Sequence, residues 1–251
     1  VIKGLVNFSD PNVYAESSTQ LYPLGAKLEF ADGRVFRYAR FGETSLTPPL
    51  ARVVVNGAIT PGGTGGGTYG YEGSLDATSN VAVGSTKLIM NDTTDRVENF
   101  YEDGMLAVYA TLGYHEYRII GSEAATTVDD VTIYLQDGLN ELAVVNSTGV
   151  TAYPSIFRNT VYNDAATFES ATGVILTKTM TSGYFAWLQR KGRCIITPTA
   201  YFGGTADERT AQMHSDGTIG LKDAHGTQTL GYLTQRTHSA YGDMEIWLML
   251  E

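Results

Sequence analysis

The histidines are the first candidates for chemistry in this chain, because imidazole nitrogens bind metals and transfer protons near neutral pH. The chain has four histidines, and His115 is directly followed by Glu116. This pair would open the zinc motif His-Glu-x-x-His, but position 119, where the second histidine would stand, is an isoleucine. The spacings therefore predict no metal centre and no cofactor, and we expect the histidines to lie on the surface or in turns.

The chain has one cysteine, Cys194, so no disulfide can form within it. Cys194 lies in the stretch 193–196, whose apolar character is typical of a buried strand. Two interpretations are open. The basic side chains of Arg190, Lys191 and Arg193 would activate a neighbouring thiol, whereas a small residue in a core would be inert. We favour the second interpretation.

Motifs of other catalytic classes are missing or incomplete. The hydrolase motif Gly-x-Ser-x-Gly does not occur. The acids Asp129-Asp130 and Asp207-Glu208 are adjacent, so in a strand the two side chains of each pair would point to opposite faces. The glycine-rich stretch 61–71 has no lysine to bind a phosphate. We predict that the protein is not an enzyme, although a glycosidase pair of carboxylates from distant positions stays open.

The charge balance bears on the class of partner. Lysine and arginine number 17 against 27 aspartates and glutamates, a net charge of −10. An acidic chain of this kind is not expected to bind nucleic acid or anionic membranes. No apolar run approaches the length of a membrane span, and no targeting segment opens the sequence. We expect a soluble protein made in a cytoplasm, and its charge is compatible with a basic protein partner.

One hairpin stands out in the sequence. Two alternating segments, 26–31 and 34–38, are separated by Asp32-Gly33. Asp-Gly between alternating residues is a strong hairpin signal, because both central positions of a type I′ turn need a positive φ. The sequence therefore predicts a two-stranded hairpin with a type I′ turn at Asp32-Gly33.

Short alternating runs separated by Gly and Asp favour strands along most of the chain. Apolar runs predict strands at 87–90, 105–109, 114–120, 131–135, 184–189, 192–196, 231–233 and 244–250. We predict an all-β fold of small β-barrel or sandwich modules joined by loops, with little helix. The predicted divisions are an extended N-terminal arm at 1–20, a hairpin unit with a Gly-rich connector at 21–72, a β-barrel or sandwich module at 73–145, a connector that in one alternative holds a short helix at 146–182, and a C-terminal β module at 183–251.

Aromatic and apolar residues are the candidates for binding other proteins. The chain has 16 tyrosines, which can fill a β core, anchor a protein interface or line a sugar site. In the last predicted strand both faces are apolar, which favours burial against a partner chain as well as against the core. The arm at 1–20 lacks periodicity, and we expect it either to order on contact with a partner or to fray. The candidate interaction residues are Val1, Ile2, Leu5, Phe8, Tyr14, Tyr69, Tyr71 and Trp247.

Four segments together resemble the capsid decoration, cement or head-stabilising proteins that tailed bacteriophages encode beside the major capsid protein. The segments are Leu21–Tyr38 with Tyr22-Pro23-Leu24-Gly25; Tyr101–Val108 with Tyr117–Gly121; Gly183–Gln189 with Gly192-Arg193-Cys194; and Gly231-Tyr232-Leu233 with Gly242–Leu248. The stretch from Gly203 to Gly226 departs from the simpler Ala/Gly/Val repeats of that family, so no detail carries over to this region.

The resemblance implies a virion structural protein without catalytic residues. Such a protein would be a homotrimer that binds the major capsid protein on the outer surface of the phage head, where capsomers meet. A tail-fibre or spike protein that binds a glycan or receptor is the alternative, since it would also be β-rich and aromatic. Either role needs contact area rather than a reactive cleft, and many modest contacts add through avidity.

Overall fold

The computed structural model describes residues 11–44, 51–56, 70–75, 80–92, 94–110, 113–126, 130–144, 148–162, 170–198, 209–214, 216–221, 228–235 and 244–251. These residues form an all-β protein with two curled antiparallel sheets and contain no helix, which confirms the predicted fold class. The described residues accordingly provide no helix that could span a membrane.

The chain divides into two compact units. Unit 1 combines Val1–Ala58 with Ile156–Glu251, and unit 2 is the inserted stretch Ile59–Ser155. These boundaries differ from the predicted divisions, which followed the chain in order. The difference arises because strands from the two ends of the chain pair with each other, a long-range event that leaves no local signal in the sequence.

Unit 1 contains a ten-stranded sheet. Its strands are β1 (Lys27–Glu29), β2 (Val35–Arg40), β3 (Arg52–Asn56), β10 (Thr160–Tyr162), β11 (Ala171–Ile175), β12 (Phe185–Ile196), β13 (Thr210–Met213), β14 (Ile219–Leu221), β15 (Gln228–Gln235) and β16 (Met244–Met249). The main path runs β10-β3-β11-β12-β16-β15-β13-β14, and the β1–β2 hairpin joins it through β12.

Unit 2 contains a six-stranded sheet of order β4-β9-β6-β7-β8-β5. Its strands are β4 (Tyr71–Ser74), β5 (Lys87–Met90), β6 (Met105–Ala110), β7 (Gly113–Ser122), β8 (Val131–Leu135) and β9 (Gly149–Tyr153). An isolated bridge pairs Leu75, just after β4, with Met90 at the end of β5. The sheet therefore curls until its two edge strands touch, and it encloses one apolar core.

The predicted hairpin is present, but its turn is of another type. β1 pairs with β2 in the register Lys27↔Arg37, and Gly33 has a φ of 84°. Asp32 is not among the described residues with positive φ. The Gly33 amide donates to the Phe30 carbonyl and the Phe30 amide to the Arg34 carbonyl. This pattern is a wider turn that ends in a left-handed glycine, so only one residue needs positive φ and the predicted type I′ turn was wrong.

The predicted connector at 146–182 contains three strands. β9, β10 and β11 lie within it, and the residues described there contain no helix. β10 and β11 flank β3 on its two edges. β11 is buried along its whole length, so its sequence lacks the alternation of apolar and polar residues that marks a half-exposed strand.

The N-terminal segment is anchored where the structure describes it. Ser17 and Phe185 exchange backbone hydrogen bonds of 2.8 and 2.9 Å. Val13 is buried in the core of unit 1, and the Glu16 carboxylate accepts hydrogen bonds from Thr179 and Thr181. Residues 11–20 therefore do not form the extended arm that the sequence predicted, because a short apolar contact and a bridge suffice to dock them. Residues 1–10 lie outside the described part of the chain.

Aromatic rings fill the centre of the larger core in unit 1. Tyr38 and Trp187 are paired residues on β2 and β12, and their ring centroids are 5.1 Å apart. Tyr22 lies 5.1 Å from each of these two rings, and its plane is nearly perpendicular to that of Tyr38. Edge-to-face packing of this kind stabilises beyond its buried area. The aromatic residues of the first and third resembling segments thus build the core of unit 1.

Strand β12 organises the sheet of unit 1 because one of its edges is shared by two strands. Lys191 pairs with Val35 on β2 and with Met249 on β16, so β2 and β16 lie on opposite edges. β11 pairs with β12 at residues 188 and 189, and β16 pairs with the same edge of β12 from Lys191 onward. The sequence had predicted two strands here, at 184–189 and 192–196, but the chain continues through both as one.

Arg190 occupies the junction between β11 and β16. Its guanidinium donates to the Thr172 carbonyl and to the Leu250 carbonyl, each at 2.7 Å. Its own carbonyl accepts from the Leu250 amide at 2.9 Å. Nε lies 3.4 Å from the Glu251 carboxylate, which also pairs with Arg37. Burial lowers the pKa of Arg190, and the charge of Glu251 opposes that shift. The Arg190 side chain thus donates to backbone carbonyls that, in regular strand pairing, would accept from backbone amides.

A buried ion pair in unit 2 stabilises the segment between β5 and β6. The Asp92 carboxylate accepts from Arg96 Nε at 2.7 Å and from the Tyr101 hydroxyl at 2.6 Å. Arg96 also donates to the Gly70 carbonyl at 3.1 Å, and its guanidinium lies 4.5 Å from the Phe100 ring centroid. Burial raises the pKa of Tyr101, which therefore stays a hydrogen-bond donor. A buried pair with this many partners offsets its own desolvation.

We expect Arg190→Ala to lower the free energy of unfolding of unit 1 by about 2–4 kcal/mol, because it removes the donor to two partly buried carbonyls, those of Thr172 and Leu250. Urea denaturation followed by Trp fluorescence measures this change. Lys191→Ala is the matched control, since that side chain is exposed on the same strand. Equal effects of the two substitutions would show that the junction does not depend on the guanidinium.

We expect Asp92→Asn to destabilise unit 2 by about 3 kcal/mol, because it leaves the Arg96 charge buried without its counter-ion. Asp95→Asn removes the same charge from an exposed position three residues away and serves as the control. Hydrogen exchange of the β6 and β7 amides reports on this unit separately from unit 1. Unchanged protection in Asp92→Asn would contradict a structural role for the pair.

Candidate functional site

The predicted interaction residues do not come together in one place. Tyr14, Tyr71 and Trp247 are described by the structure, and each lies in a different setting. The other five lie outside the described residues: Val1, Ile2, Leu5, Phe8 and Tyr69.

Tyr71 is a core residue, so its prediction as an interaction residue was wrong. It is 1% exposed and belongs to the core of unit 2. It pairs with Ala152 on β9, which pairs with Leu106 on β6, and this row of side chains points inward. The glycine-rich stretch before β4 gives no alternation from which the inward face could be read. A shift of one residue in register would have turned Tyr71 outward.

Tyr14 is exposed on unit 1. Its side chain is 61% exposed, and it forms a hydrogen bond with Arg34. Arg34 in turn stacks over Phe30, with 5.0 Å from the guanidinium carbon to the ring centroid. Tyr14 can therefore contact a partner, but few apolar groups surround it.

Trp247 is partly buried and lies at the centre of the outward sheet face of unit 1. It pairs with Arg193 on β12 and with Tyr232 on β15, so the three side chains form a row across three strands. Ile195 and Met249 lie beside this row on the same face and are 55% and 56% exposed. We call these five residues the Trp247 face. The alternate residues of β16, which are Met244, Ile246 and Leu248, point into the core.

The geometry of the Trp247 face suits binding to a protein rather than catalysis. Arg193 is held by Glu245, its neighbour across the strands, and this contact lowers the pKa of Glu245. Thr234 also donates to the Glu245 carboxylate at 2.8 Å. The polar groups of the face are thus ordered before any partner arrives. Trp, Tyr, Arg and Met are the residue types enriched in the centres of protein interfaces.

Gly231 allows β15 to approach β16 closely at this face. A Cβ atom at Gly231 would lie 2.0 Å from the Trp247 carbonyl oxygen. The ladder between the two strands also shifts register between Leu233 and Gln235. A bulge of this kind increases the local twist of the strand pair. Tyr232, just before the bulge, is 45% exposed beside Trp247.

A second exposed face, on unit 2, was missed by the sequence analysis. Tyr109 and Tyr114 pair across the β6–β7 hairpin, and their ring centroids are 5.3 Å apart. They are 50% and 53% exposed, and Met105 on the same side of β6 is 41% exposed. Tyr153 on β9 pairs with Met105. We call Met105, Tyr109, Tyr114 and Tyr153 the tyrosine face. Its signal in the sequence was the shared parity of Met105 and Tyr109 in the predicted strand.

Comparisons with known proteins leave the chain unassigned. No protein-family model, no curated protein and no solved structure matches it. The resemblance to phage head proteins therefore remains a prediction from the sequence, and the two exposed faces are the structural features from which a function can be argued.

His115 and Cys194, the described residues with the most reactive side chains, belong to neither face. His115 lies 3.2 Å from the Glu141 carboxylate, which is itself largely buried. Among the residues that the structure describes, no three metal-ligating side chains cluster. Cys194 is 3% exposed, and burial raises the pKa of its thiol to about 12. The core interpretation of Cys194 is confirmed, because desolvation outweighs the positive charges nearby.

We expect the Cys194 thiol to resist a water-soluble disulfide reagent at about pH 8 in the native protein, because only the thiolate reacts and burial raises the pKa of this thiol. In about 6 M guanidinium the unfolded chain should react quickly. The absorbance of the released thiolate measures the rate. Fast labelling of the native protein would contradict the buried position and would reopen the activated-thiol interpretation.

Proposed function

We propose that this chain is a non-enzymatic virion structural protein, a capsid decoration protein that binds the major capsid protein on the outer surface of a phage head. The observation that carries the proposal is the Trp247 face, where a partly buried Trp247 is surrounded by exposed residues of interface type on one sheet. Trp247 and Tyr232 also lie in the last of the four segments that resemble such proteins. The homotrimer and the location at capsomer junctions belong to the same proposal.

The physical requirement of a decoration protein supports this assignment. Such a protein must present a broad, pre-ordered surface, because each copy has to recover the entropy lost on binding from contact area alone. The Trp247 face spans three hydrogen-bonded strands, so the backbone that carries its side chains is ordered without a partner. Many copies on one lattice then add their modest affinities.

The experiment is to measure how the purified chain binds phage heads that lack it. We expect Trp247→Ala to weaken binding by a factor of about 10–100, because truncating a central interface Trp costs about 2 kcal/mol or more. Sedimentation of heads with bound, labelled protein measures the affinity. Mass spectrometry of purified virions should find the chain at a ratio close to that of the major capsid protein.

Leu21→Ala is the matched control, since Leu21 is an exposed apolar residue of unit 1 outside the Trp247 face, with 62% exposure. Its binding should stay within a factor of about 2 of the parent chain, as expected for an isolated surface residue. Location at the tail instead of the head, or binding to a glycan array, would contradict the proposal and favour the tail-fibre alternative.

A further inference from the structure

The negative charge of the protein is concentrated in unit 2. The stretch 59–155 carries 13 aspartates and glutamates against three lysines and arginines, a net charge of −10. Unit 1 has 14 residues of each sign and is neutral. The whole net charge of the chain therefore belongs to the inserted unit. A field of one sign on one unit steers and selects oppositely charged partners.

The three basic residues of unit 2 are already engaged within it. Arg96 pairs with the buried Asp92, and Arg118 donates to Asp103 at 2.8 Å. The Lys87 ammonium lies 5.6 Å from the centroid of the Tyr134 ring. Most carboxylates of unit 2 therefore have no basic residue of the same unit to neutralise them.

The tyrosine face combines this charge with exposed aromatic rings. One row of outward residues runs Glu72, Thr151, Ala107, Glu116 across β4, β9, β6 and β7. The two glutamates at its ends are exposed, whereas Ala107 and Thr151 are 5% and 3% exposed. Three strand spacings separate the glutamates, about 14 Å.

Larger side chains flank this row on both sides. Tyr109 and Tyr114 form the next row in one direction, and Tyr153, Met105 and Arg118 form the next row in the other. The Arg118 guanidinium in that row is paired with Asp103. The Tyr114 hydroxyl donates to Glu116, which raises the pKa of Tyr114 to about 12. Tyr109 lies against Gly149, where a Cβ would be 3.7 Å from the ring. The face is thus a set of supported aromatic rings with a carboxylate at each end and, beside Glu116 on β7, an arginine already paired with Asp103.

We propose that the tyrosine face of unit 2 is a docking site for a protein segment rich in arginine. A guanidinium can stack on a tyrosine ring and at the same time pair with a carboxylate, and a planar fork does both better than an ammonium. The face offers rings and carboxylates within one side-chain length of each other. An acidic segment would be repelled by the negative charge of unit 2, and a purely apolar segment would leave that charge unpaired. This inference does not depend on the phage proposal.

The experiment uses the full chain and a synthetic probe, a Gly/Ser-spaced peptide with four arginines. Isothermal titration at two salt concentrations measures its affinity. We expect Tyr109→Ala with Tyr114→Ala, and separately Glu72→Gln with Glu116→Gln, to weaken binding by at least about tenfold. The second pair of substitutions preserves side-chain volume, so a loss of affinity there cannot be assigned to misfolding. Thermal unfolding checks each variant.

Tyr134→Ala with Glu123→Gln is the matched control. It removes one tyrosine and one carboxylate that contact each other on the same unit. Tyr134 pairs with Gly121, seven residues along β7 from Tyr114 and thus about 23 Å away. Its affinity should stay within about twofold of the parent chain, as expected for a substitution outside the contact.

Two results would overturn the inference. An equal loss in the control and in the test variants would show that the peptide senses only the diffuse charge of unit 2. Equal affinity for a peptide with four lysines, or for one with four glutamates, would show that stacking of guanidinium on the rings is not used. Because no phage particle enters this experiment, its failure is distinct from failure of the decoration assay.

Discussion

The sheet of unit 1 depends on one strand that serves three partners. β12 pairs with β2 along one edge, while β11 and β16 divide the other edge between them. A divided edge leaves carbonyls at the junction without amide donors, and an unpaired buried carbonyl is costly. The Arg190 guanidinium meets this need on both sides of the junction. Residues of β12 belong to both hydrophobic cores of unit 1. Without the Arg190 guanidinium, this shared strand would lack hydrogen-bond donors at the junction.

Unit 2 solves a related problem in another way. Its six-stranded sheet curls until Leu75, just after β4, forms a bridge with Met90 at the end of β5. The Asp92–Arg96 pair then ties the loop between β5 and β6 to the start of β4 through the Gly70 carbonyl. Each unit therefore uses one buried arginine where strands alone do not complete the hydrogen bonding.

Both exposed faces lie on these stiff sheets rather than on loops. The Trp247 face spans β12, β16 and β15, and the tyrosine face spans β9, β6 and β7. The backbone of paired strands loses little further entropy when a partner binds, so less of the contact energy is offset than on a mobile loop. This placement favours a binding role for the protein, and the burial of Cys194 removes its one thiol from surface chemistry.

The sequence by itself determined local properties. Alternation and the Asp-Gly pair located the β1–β2 hairpin, and apolar runs located β5 to β8, β15 and β16. The strand-like stretch around Cys194 correctly predicted that this residue lies in the core. Tertiary structure alone decided that Tyr71 points inward, that β12 is one strand, and that residues 59–155 are inserted as a unit. These features depend on register and on pairing between distant strands. Alternation shows that a strand has two faces, but only its partners determine which face is buried.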